Sequence, residues 1–173
     1  MPVDEYLNFV PVKAGDFIPV PVGAVHTVGK GVTLCEIQQA SDSTFRIWDW
    51  NRLDQVGDSR ELHIEQAKEV LNFSDSFNEK LLASIQNDLL SRVGISSVID
   101  IDDFAVQLIS NTTQKQLELN LENKDAMIVL SGQISGDINL KSYESSIVLE
   151  KGIFTFELAR ETSFLIVSEN NRS

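Results

Sequence analysis

The sequence predicts a mainly β fold, a small barrel or jelly roll interrupted by a short helical segment. Three observations carry this. From Leu89 onward, short apolar or alternating runs follow one another with turn chemistry between them. Residues 13–52 hold further short runs separated by Gly and Pro, a texture that suits the tight corners of a small barrel and does not suit helices. One stretch, around residues 64–71, clearly repeats its apolar residues at helical period.

Length and charge narrow the classes. With 173 residues, 42% of them apolar, the chain can bury a real core and supports one large or two small domains. A net charge of −12 repels phosphate backbones and anionic bilayers, so neither nucleic acid nor a membrane is an expected partner. No run approaches the roughly 18 apolar residues that a membrane span needs. The single Cys35 allows no internal disulfide, and Met1 is followed by Pro2, Asp4 and Glu5 with no basic leader ahead of an apolar run. The expected compartment is the cytoplasm.

In chain order, Tyr6 to Val12 reads as an edge strand with Pro11 near its end. Ala14-Gly15-Asp16 makes a turn, Phe17 to Val20 a short strand, and Pro21-Val22-Gly23 a bend that delivers His26. Val32 to Gln39 and Thr44 to Trp50 read as two more strands after the Gly29-Lys30-Gly31 turn, and residues 51–60 as a polar loop. Ile64, Ala67, Val70 and Leu71 then share one face of an amphipathic helix of about three turns, ended by Asn72 and Ser74. Asp75 to Gln86 is ambiguous, with Leu81, Leu82 and Ile85 at helical spacing.

Eight strands are expected beyond it: 89–93, 104–109, 116–121, 126–130, 138–143, 146–149, 153–158 and 164–167. Asn111-Thr112, Asn123-Lys124-Asp125, Ser131-Gly132, Ser135-Gly136-Asp137 and Lys151-Gly152 supply the turns between them.

The chemistry concentrates in residues 13–52, which hold one of the two histidines, the only cysteine and both tryptophans. His26 follows a Pro-x-Gly bend that limits its backbone freedom, and a neutral imidazole there suits a divalent metal. Glu36 lies ten residues on, and Arg46 ten residues further. If the intervening runs pair as neighbours, a carboxylate and a guanidinium face the same interior as His26, where Arg46 would hold a phosphate or a developing oxyanion. Simpler readings stand beside this one. His26 would be a hydrogen-bonded core histidine, Glu36 and Arg46 a partly buried ion pair, Trp48 and Trp50 packing on one face, His63 a surface or capping residue and Cys35 core filler.

The sequential elements Lys13-Ala-Gly-Asp16, Pro21-Val-Gly-Ala-Val-His26, Glu36-Ile-Gln-Gln-Ala-Ser-Asp42 and Thr44-Phe-Arg46-Ile-Trp-Asp-Trp50-Asn-Arg52 resemble the second half of the catalytic cupin barrel of type I phosphomannose isomerases. The resemblance covers residues 6 to about 73. It implies zinc-dependent interconversion of mannose 6-phosphate and fructose 6-phosphate through an enediol. His26 falls on the last zinc ligand, Glu36 on an active-site glutamate and Arg46 on the catalytic arginine.

Members of that family carry further zinc ligands, a Gln-x-His pair and a Glu, well upstream of this histidine. Residues 1–25 contain no histidine, so the resemblance implies the C-terminal portion of such an enzyme, with an incomplete zinc site and little activity alone. The implied architecture is cupin-like: residues 1–60 as part of the catalytic barrel, 61–88 as a helical connection and 89–173 as a second cupin-like domain. The alternative is a non-catalytic cupin module that binds a sugar or sugar phosphate through Arg46, Trp48 and Trp50.

Overall fold

A computed structural model describes residues 3–41, 43–110 and 115–170. The chain divides into two compact units, one of Met1–Val12 and Ile18–Ile85, the other of Lys13–Phe17 and Gln86–Ser173. The second contains nine strands: β1 (Gly94–Asp100), β2 (Phe104–Ser110), β3 (Gln116–Leu121), β4 (Ala126–Ser131), β5 (Gln133–Gly136), β6 (Leu140–Lys141), β7 (Ser145–Ile147), β8 (Gly152–Leu158) and β9 (Ser163–Glu169). They form two sheets of orders β1-β2-β9-β4-β7 and β3-β8-β5-β6, every pairing antiparallel. The mainly β class is thus observed.

Period-two burial explains the packing of this unit. Met127 and Val129 on β4, Phe164 and Ile166 on β9 and Ile109 on β2 enter one core with Leu121, Ile134, Leu140 and Phe156 from the other sheet. Turn residues set the registers. Asp125 accepts the Glu122 amide on Oδ2 at 2.9 Å in the β3–β4 turn, where Lys124 takes φ +73°. Thr162, itself buried, receives the Gln133 amide at 3.1 Å and donates to the Ala159 carbonyl at 2.9 Å, tying the β8–β9 turn to β5.

Residues 13–17 reach this unit as a clasp. The Phe17 and Gln86 amides each donate to the other residue's carbonyl, at 2.8 and 3.0 Å, and the Leu89 amide donates to the Gly15 carbonyl at 2.7 Å. Asp16 closes its own turn through Oδ2 and accepts the Asp88 amide on Oδ1. The Ala14-Gly15-Asp16 turn is as expected, with Gly15 at φ +94°.

Several expected elements differ. Leu89–Ser91 is a 3-10 turn, and the strand begins at Gly94. β5 was hidden between two turn signals only a few residues apart. The expected strand 138–143 shortens to Leu140–Lys141 because residues 141–144 close a turn, with Tyr143 at φ +70°. Asn111-Thr112 lies outside the described residues, as does Asp42.

In the first unit the helix is α1 (Ile64–Val70), two turns instead of three, and Asp75–Ala83 resolves as a second helix, α2. Val3–Tyr6 is a 3-10 turn. The strands expected at 6–12, 17–20, 32–39 and 44–50 do not form ladders. Among the described residues the isolated bridges are Phe17 with Gln86 and Leu53 with Ser59. The physical reason is that an extended run becomes a strand only when a neighbour takes its amides and carbonyls. No helix among the described residues is long and apolar enough to cross a membrane.

Candidate functional site

The Pro21-Val22-Gly23 bend is held from both sides. The Ala24 amide closes it on the Pro21 carbonyl at 3.1 Å, and the Asn72 amide, just past α1, donates to the Gly23 carbonyl at 3.1 Å. Gly23 has φ +89°, and a Cβ there would lie 2.5 Å from the Val70 carbonyl oxygen. Glycine is therefore required twice, by its conformation and by its approach to the helix end. Three residues on, His26 is exposed, and its Nδ1 donates to the Ala24 carbonyl at 3.0 Å. That contact puts a proton on Nδ1, so that in the neutral ring the lone pair lies on Nε2.

Glu36 is exposed and makes no hydrogen bond or ion pair among the described residues. Arg46 is half-buried and tightly held. Its amide donates to His63 Nδ1 at 3.0 Å, its carbonyl accepts the His63 amide at 2.7 Å, and its guanidinium Nη1 donates to the Glu61 carbonyl at 3.1 Å. The alternative reading of a Glu36–Arg46 ion pair does not hold among the described residues, where the guanidinium meets the Glu61 carbonyl instead. His63, expected at a surface or cap, occupies the N-cap position of α1 but makes no side-chain cap bond there. Its ring turns toward Arg46 and lies edge-on to Phe45, with centroids 6.4 Å apart.

Between Arg46 and His63 the chain is braced by a carboxylate that the sequence reading passed over. Asp49 is 6% exposed. Its Oδ1 accepts Arg52 Nε at 3.1 Å and Nη2 at 2.5 Å, and its Oδ2 accepts Arg60 Nε at 2.7 Å, with Arg60 Nη2 also on Oδ1. The Arg60 hydrogen bonds and then those of Arg52 outweigh desolvation and hold the Asp49 carboxyl well below the usual carboxylate range. The two tryptophans, expected to pack on one face, are unequally buried. Trp48 is half-buried, whereas Trp50 sits at φ +55° and is 45% exposed. The signal was present as Asp49-Trp-Asn-Arg52 with Arg60 following, an acid among arginines in an acidic chain. Cys35, expected in a core, is exposed.

The sequence comparisons point one way. Over 75 residues the chain is 48% identical to a mannose-6-phosphate isomerase of Streptococcus mutans, covering 43% of this chain and 24% of that protein. It is 50% identical over 68 residues to mannose-6-phosphate isomerase ManA of Bacillus subtilis, covering 39% and 22%. The resemblance is to mannose-6-phosphate isomerases. A probable mannose-6-phosphate isomerase of Bacillus subtilis, GmuF, is 35% identical over 96 residues, covering 49% of this chain and 30% of that protein. The chain thus spans less than a third of the length of these relatives.

No family model matches. Among solved structures, a cupin-2 domain protein of Shewanella frigidimarina aligns over 59% of this chain and 96% of that one at 17% identity, with a TM-score of 0.37, too low to carry an argument.

The metal implied by the isomerase resemblance can be tested against the donors present. His26 is prepared as a ligand, with Nδ1 anchored to a carbonyl and Nε2 free. The donor set does not follow. Among the described residues no group of three or more His, Cys, Asp or Glu could hold a metal ion, whereas a zinc site takes three or four protein ligands. The described residues supply one prepared ligand and do not complete a zinc site.

Proposed function

We propose that this chain carries part of the active site of an aldose-ketose isomerase that interconverts mannose 6-phosphate and fructose 6-phosphate. The observation that carries the reading is the 48% identity to a mannose-6-phosphate isomerase, together with the ordered elements that contain His26, Glu36 and Arg46. In this reading His26 is a zinc ligand through Nε2. Glu36 is a carboxylate available to move the proton between C1 and C2. Arg46 stabilises the negative charge that develops on the enediol oxygen. Zinc would supply Lewis-acid polarisation of the substrate oxygens in a completed site. Localisation in the cytoplasm and a sugar phosphate as partner go with the same reading.

One ligand binds zinc weakly, so the chain alone has little isomerase activity. Elemental analysis after gel filtration, paired with a coupled assay of mannose 6-phosphate conversion, tests this. The expected result is substoichiometric zinc and no turnover above background. One tightly held zinc per chain with turnover would overturn the incomplete-site reading. Binding of mannose 6-phosphate in the absence of zinc and turnover would support a non-catalytic sugar-phosphate module instead.

A further inference from the structure

The segment from Arg46 to His63 is a closed loop whose two ends hold each other. The Arg46 amide donates to His63 Nδ1 at 3.0 Å, and the His63 amide donates back to the Arg46 carbonyl at 2.7 Å. The loop body is braced independently of its ends. Asp49 gathers Arg52 and Arg60, Leu53 bridges Ser59, and Asp54 Oδ1 accepts the amides of Val56 and Asp58, both at 2.9 Å. The two ends meet at the mouth of the loop, and Arg46 is fixed there by both hydrogen bonds to His63. We propose that His63 is a positioning residue for Arg46, its imidazole fixing the backbone from which the guanidinium projects. The inference rests on the catalytic reading of Arg46.

The chemistry of the contact is specific. Nδ1 accepts from an amide only if its lone pair is free, which places the ring proton on Nε2. This is the opposite tautomer to that of His26, whose Nδ1 donates. The ring also lies edge-on to Phe45. A mere packing role would be met by any flat ring, but the acceptor role would not.

Two variants separate these roles. His63→Phe keeps a ring and loses the acceptor, whereas His63→Asn loses the ring and keeps a short-reach acceptor near the position of Nδ1. The first readout is hydrogen exchange at the Arg46 amide in the 173-residue chain, followed by NMR. The expected result is exchange about tenfold faster in H63F, restored toward wild type in H63N, as loss of one hydrogen bond requires. Unchanged Arg46 exchange in H63F, or a proton found on His63 Nδ1 in the neutral ring, would overturn the proposal.

The second readout is kcat in the Streptococcus mutans isomerase whose matched 75-residue stretch is replaced by its counterpart from this chain. There kcat is expected to fall in H63F and recover in H63N, with KM little changed. If Arg46→Ala abolishes turnover while H63F does not lower it, the positioning role is wrong and the Arg46 reading stands. If neither variant changes kcat, the catalytic reading of Arg46 fails, even where the exchange result holds.

Discussion

Gly23 and Asp49 show how single residues shape the site region. Gly23→Ala places a methyl against the Val70 carbonyl at a backbone conformation that costs alanine energy. We expect it to lower the stability of the first unit by roughly 1–3 kcal/mol. Because both tryptophans, Trp48 and Trp50, lie in that unit, their fluorescence during urea unfolding reads the effect directly. Asp49 contributes through its charge. Its carboxyl is depressed in the fold, so the stability it supplies is fully present above the unfolded carboxylate value of about 4 and is lost as the pH falls toward the depressed native value. Asp49→Asn should therefore lower the urea midpoint at neutral pH, and the gap from wild type should narrow between about pH 5 and pH 2.5. A constant gap across that range would show that the side chain acts through its shape alone.

The same two residues mark what the sequence made legible. A glycine three residues before a histidine announces a bend, and His26 duly stands after one. Asp49 was missed because alternation with two tryptophans suggested a strand, in which a charged residue between aromatic neighbours faces water. Two arginines instead make its burial tolerable, and neither contact follows from a period-two pattern.

At the scale of elements, most strands of the second unit were readable because each apolar run meets a partner and a shared core, whereas β1 and β5 were not among the expected strands. Phe156 on β8 and Phe164 on β9 are both fully buried, in opposite sheets. Phe156→Ala should cost about 3–5 kcal/mol, read as a lowered midpoint of the far-UV strand signal, with the tryptophan signal of the first unit serving as a separate reporter. In residues 6–50 similar apolar runs lack a ladder, and Phe9, Val22 and Leu34 stay exposed. The pattern of a strand was legible there, but its pairing was not, since pairing belongs to a neighbour and not to the run itself. α1 was legible from its period, although only Ala67 is buried on it. α2, with no fully buried residue, gave correspondingly little signal.

At the scale of the whole molecule, the chain matches mannose-6-phosphate isomerases over less than a third of their length, and the proposal that it carries part of their active site depends on metal donors that the described residues do not complete. Both claims meet in one chimera. The 75-residue stretch of the Streptococcus mutans isomerase that matches this chain is replaced by its counterpart here, and the purified, zinc-loaded protein is assayed for mannose 6-phosphate conversion with and without Arg46→Ala. The chimera is expected to turn over, and Arg46→Ala is expected to lower kcat by roughly 100- to 1,000-fold, as loss of an oxyanion stabiliser does. A folded, zinc-loaded chimera with no turnover, or one indifferent to Arg46→Ala, would contradict the proposal.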